Sequence, residues 1–110
     1  MSLRPRAIGY LRRDVSGVSQ VWDETLIRST AKRLGYDLAK TIAFGPETDA
    51  PVARLIATAR RIDAEAVIVP GPAHFDGEIP AEVVRVCDVI TVSPENTFAR
   101  RLWPFDDETA

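Results

Sequence analysis

Ala66-Val67-Ile68-Val69, closed abruptly by Pro70-Gly71-Pro72, is the stretch that decides the fold. Successive side chains of a strand point to opposite faces, so an unbroken apolar run needs cover on both sides. Residues 88–92, Asp-Val-Ile-Thr-Val, repeat the pattern and stop at Ser93-Pro94. Ala7-Ile8-Gly9-Tyr10-Leu11 and residues 38–44 read as two further strands, the latter ending at Gly45-Pro46. Helices are expected between them. After Ser19, Trp22, Leu26, Ile27, Thr30, Ala31 and Leu34 recur at helical spacing, and Gly35 stands where a C-terminal cap belongs. Ser19 is the expected N-cap, with Asp23 and Glu24 suited to the positive end of the dipole. Thr48 or Asp49 caps a second helix with Pro51 in its first turn; Val52, Leu55, Ile56, Ala59 and Ile62 form its stripe. Pro80 opens a short third helix with Val83, Val84 and Val86 inward.

Strand and helix alternate throughout, which demands parallel pairing and right-handed crossovers. The expectation is an α/β three-layer sandwich with a mainly parallel sheet of about four strands, residues 1–94, followed by a tail, 95–110. One more helical turn is expected in that tail, with Phe98, Leu102, Trp103 and Phe105 docking on something apolar or leaving an exposed patch.

Composition bounds the function. The 110 residues are 45% apolar and 27% charged, which suits one globular domain and excludes a disordered chain. Fourteen basic residues against sixteen acidic ones give a net charge of −2. A nucleic-acid binder ordinarily carries a basic excess, because phosphate neutralisation drives its affinity. A single cysteine, Cys87, excludes an internal disulfide and a cysteine-built zinc site, and is expected to be a packed core thiol. No apolar run approaches the ~18 residues of a membrane span. The charged start without an apolar core after it predicts no secretory leader, so a cytoplasmic protein is expected. No cofactor or metal is expected.

Ligands of such sheets bind beyond the carboxyl ends of the strands, near the point where strand order reverses. Three loops qualify: 12–20, 44–49 and 70–80. The first holds Arg12, Arg13, Ser16, Ser19 and Gln20 beside a helix start, and the third holds His74, the only histidine. Guanidinium forks, hydroxyls and backbone N–H groups aimed at one point make an anion site. The competing reading makes the serines helix caps and pairs the arginines with carboxylates. If strands one and three are neighbours, Ser16, His74 and Asp76 would face one another as nucleophile, base and orienting group. A histidine in an anion pocket would have its pKa raised when the anion binds.

Gly9-Tyr10-Leu11-Arg12, followed by Val15-Ser16 and Gln20, resembles the opening of the serine recombinase (resolvase/invertase) catalytic domain, G-Y-x-R-V-S with a glutamine beyond. Leu34-Gly35-Tyr36 resembles the end of that family's first helix, and Asp49-Ala50-Pro51 its D-R-P. The similarity covers residues 6–92. It implies a resolvase-like fold and DNA strand cleavage by Ser16, with Arg12 and Tyr10 in the active site. Ser16 aligns with the nucleophile across a two-residue insertion; without it Asp14 stands there. Other signature positions depart from the family. Ala50 replaces the D-R-P arginine, and Ala73, His74 and Gly77 replace the aspartate and two arginines of L-D-R-L-x-R. No long dimerising helix or DNA-reading module is expected after Val92. Two functions follow: a domain that has lost catalysis and serves as a binding or regulatory module for a protein partner or its own copy, or an enzyme using Ser16 for phosphoryl or acyl transfer. DNA is implied by the resemblance and disfavoured by the charge.

Overall fold

The computed structural model describes residues 4–101. β1 (Arg6–Arg12) leads into a single turn of helix, α1 (Arg13–Ser16), a 3-10 turn (Gly17–Ser19) and the long α2 (Gln20–Leu34). β2 (Asp37–Phe44), α3 (Pro51–Arg61) and β3 (Ala66–Val69) follow. A 3-10 turn (Pro72–Phe75), α4 (Ala81–Val84), β4 (Asp88–Thr91) and β5 (Asn96–Phe98) complete the described chain. The sheet runs β2-β1-β3-β4-β5, parallel except for β5.

The alternation of side chains along the central strands explains why both faces are covered. Ile8, Tyr10, Val67, Val69 and Val89 point to one face and pack with Leu55 and Ala59 of α3 and Val83 of α4. Ala7, Leu11, Ala66, Ile68 and Ile90 point to the other and pack with Ile27 and Ala31 of α2. Two right-handed crossovers in opposite directions across a sheet must use opposite faces, and α2 and α3 do. Every residue of β3 is buried. The three-layer α/β architecture is therefore the one read from the apolar runs. No helix among the described residues is long and apolar enough to cross a membrane.

Local differences have local causes. Neither Thr48 nor Asp49 caps α3. Ala50 takes the cap position in the left-handed region (φ 50, ψ 58), without a side-chain hydrogen bond, and Pro51 supplies the first helical residue. Ser19 precedes α2 without capping it through its side chain, whereas Gly35 closes the helix at φ 85 as expected. Trp22 leaves the expected stripe: it is 62% exposed and Val21 77%, because the part of α2 buried on the sheet starts at Ile27.

The tail begins with a strand rather than a helical turn. Asn96, Thr97 and Phe98 pair antiparallel with Thr91, Ile90 and Val89. Without β5 the edge of β4 would present unpaired N–H and C=O groups. A turn containing a cis Ser93–Pro94 bond reverses the chain, and Thr91 Oγ1 donates to the Pro94 carbonyl. Asp88 accepts the Arg100 N–H at 2.7 Å, and Glu95 pairs with Arg33 of α2 at 3.0 Å. Phe98 remains 38% exposed, while Leu102, Trp103 and Phe105 lie outside the described residues.

Candidate functional site

β1 has β2 on one side and β3 on the other, so the strand order reverses between β1 and β3. The loops after these two strands meet there, and they carry most of the residues singled out above. Arg12, the last residue of β1, organises the site. One guanidinium nitrogen donates to Asp76 Oδ1 at 2.7 Å and another to Asp14 Oδ2 at 3.0 Å. Its backbone N–H donates to His74 Nδ1 at 2.9 Å. The Arg12 side chain is 21% exposed, Asp14 32% and Asp76 82%, so the network is a rim and not a sealed pocket. The guanidinium holds the Asp14 carboxyl below its ordinary pKa.

His74 is buried, not a surface histidine, at 4% exposure. With Nδ1 accepting a hydrogen bond, a neutral imidazole must carry its proton on Nε2. Burial is the main force holding its pKa below the ordinary value; Arg12 adds to this, and Asp23 and Asp14 oppose it. Protonation would place a hydrogen on Nδ1 and cancel the bond to Arg12. The folded-state pKa therefore lies below that of the unfolded chain. His74 contributes stability that is fully present above about pH 6.5 and is lost as pH falls through the folded pKa. Urea denaturation should show stability falling on acidification below that point, well before the Asp14 range is reached. His74→Asn should flatten this limb; an unchanged slope would mean another group causes it.

Ser16 is buried, and its hydroxyl donates to Asp23 Oδ2 at 2.6 Å. Gly17 makes this contact possible: at φ 56, ψ −130 it turns the chain from α1 toward α2 in a region side chains rarely adopt. By sequence alone Asp23 only complements a helix dipole. Its pairing with Ser16 depends on that turn, which residue types alone do not specify.

The other expected members disperse. Arg13 donates to the Ala43 carbonyl at 2.7 Å and lies 3.8 Å from Glu47. Gln20 Nε2 donates to Glu24 at 3.0 Å, and Ser19 is exposed. Tyr10 belongs to the core: its ring stacks on Phe75 at 4.9 Å and meets Phe44 edge-on at 6.0 Å. Burial pushes its phenol pKa up, and its hydroxyl has no hydrogen-bond partner among the described residues. Ser16, His74 and Asp76 share one end of the sheet but form no relay, since Ser16 is bonded to Asp23 and His74 to Arg12. Cys87 is fully buried, with its pKa pushed up to about 11 by burial, as a core thiol should be.

What results is one guanidinium bracketed by two carboxylates, with a third carboxylate on the serine. The described residues contain no group of three or more His, Cys, Asp or Glu arranged to hold a metal ion. No protein-family model matches the chain, and no curated protein is significantly similar to it.

Proposed function

We propose that the chain is a resolvase-like domain that has lost recombinase catalysis and acts as a binding or regulatory module. The observation that carries this reading is the double engagement of Arg12 by Asp14 and Asp76. Attack of a serine hydroxyl on a phosphodiester concentrates negative charge around phosphorus, and catalysis rests on positioning and on cations preorganised for that charge. Here Arg12 already serves two carboxylates. Arg13 and Arg54 are turned to the backbone carbonyls of Ala43 and Asp49, respectively. Ala50, His74 and Gly77 stand where the family pattern has arginines. Losing one such donor commonly costs about 3 kcal/mol in the barrier, on the order of a hundredfold in rate. A buried neutral His74 does not restore the charge.

A second reading, phosphoryl or acyl transfer by Ser16, has the Ser16–Asp23 hydrogen bond in its favour. A carboxylate in contact with a serine hydroxyl is placed to accept its proton. One experiment separates the two. The chain is incubated with supercoiled DNA and analysed by intact mass and gel, beside Ser16→Ala. The expected result is no nicking and no added mass. A covalent adduct that Ser16→Ala abolishes would overturn the loss of catalysis. The net charge of −2 favours a protein partner or self-association over a nucleic acid, and a single cysteine with no partner for a disulfide suits the cytoplasm.

A further inference from the structure

The binding module needs a binding face, and exposed apolar residues concentrate in the stretch that follows Arg12 in the chain. Val18 is fully exposed, Val21 is 77% exposed, Trp22 62% and Val15 38%. Val18 lies in the 3-10 turn and Val21 and Trp22 in the first turn of α2, so three exposed apolar side chains fall within five residues. Apolar side chains gathered this way on a small domain mark an interaction surface more often than isolated ones do.

The charges around this patch are lopsided. Asp14 precedes Val15, and Asp23 and Glu24 follow Trp22. Asp76 reaches the same rim through Arg12, and Glu47 through Arg13. Two guanidinium groups, both already paired, and Arg28 one turn beyond Glu24 on α2 thus stand against five carboxylates. The rim thus carries more negative charge than its own cations neutralise.

The geometry points to this face as the docking surface for a protein segment that presents apolar side chains flanked by arginine or lysine. This rests on the reading of the domain as a non-catalytic binding module. Val18, Val21 and Trp22 would cover the partner's apolar residues. Its cations would meet Asp76, Asp14 and Asp23, and a guanidinium could lie over the Trp22 ring, the best of the aromatic faces for a cation. The same negative rim repels phosphate, which disfavours nucleic acid and anionic lipid as occupants of this face.

The test uses the full chain with Trp103→Phe, which leaves Trp22 as its only indole. The probes are a synthetic amphipathic leucine–arginine peptide and its leucine–glutamate counterpart, titrated at low and high salt. The leucine–arginine peptide should shift Trp22 emission to the blue and saturate, more weakly as salt rises. The leucine–glutamate peptide should not bind. Val18→Ser with Val21→Ser, and separately Asp76→Asn, should each weaken binding about tenfold. These positions are exposed, so far-ultraviolet circular dichroism should be unchanged. Equal binding of both peptides, or no binding of either, would overturn the proposal. So would concentration-dependent dimerisation in sedimentation velocity that Trp22→Ser removes, since a second copy would then be the occupant. A Ser16 adduct with DNA would instead sink the non-catalytic reading, whatever the peptides do.

Discussion

Tyr10→Ala should lower stability by about 3–5 kcal/mol, the range for removing a fully buried aromatic ring. Tyr10 is 1% exposed, stacks on Phe75 with ring planes 8° apart, and meets Phe44 edge-on. The substitution therefore removes apolar burial, two ring contacts and the packing of the 3-10 turn that carries His74. For a domain of this size each kcal/mol corresponds to roughly 4–8 °C in Tm, so thermal unfolding should shift by 12 °C or more. Tyr10→Phe makes the contrast. A buried hydroxyl without a partner carries a desolvation cost of about 1–3 kcal/mol, so removing it should leave stability unchanged or raise it. Paired urea melts of the two variants decide the matter. A clear loss in Tyr10→Phe would show that the hydroxyl is bonded, and would return Tyr10 from the core to the functional site.

Gly9→Val should cost about 3 kcal/mol, at the upper end of what overpacking a core commonly costs. A Cβ at position 9 would lie 2.7 Å from Thr41 Oγ1 and 2.8 Å from Ile27 Cγ2. Gly9 pairs with Thr41 across the β1–β2 ladder and shares the face on which α2 lies. The neighbouring strand blocks one direction and the helix another, so any side chain here pushes α2 off the sheet. Gly9→Ala should already be destabilising, by about 1–3 kcal/mol. Equilibrium denaturation checks both. If either variant matches the parent, α2 must be free to slide, and the seat of Ser16 and Asp23 at its start would be looser than their 2.6 Å bond implies.

These predictions bear on the resemblance described above. Gly9 and Tyr10 belong to the Gly-Tyr-x-Arg stretch that carries it, and both have full structural reasons to be there. Arg12 alone in that stretch projects to the rim.

The chain's own order of residues was enough to determine the layers. Alternating faces of a strand make a four-residue apolar run an instruction for cover on both sides, and Val67 and Val69 do face α3 while Ala66 and Ile68 face α2. The stripe of α3 and the glycine that ends α2 are equally local, set within one or two helical turns. The alternation left open whether β1 and β3 are neighbours; the strand order β2-β1-β3 is what brings the loops after them together. Tertiary structure decided everything that depends on partners far along the chain. Arg12 and Asp76 are separated by 64 positions and Arg12 and His74 by 62. Which carboxylate reaches a guanidinium over such a span depends on where several loops come to rest, and no spacing encodes that. The same holds for the burial of His74, the exposure of Trp22 and the pairing of residues 96–98 with β4. Each is fixed by what the rest of the molecule covers, and short stretches of sequence specify only their own backbone and the period of their apolar residues.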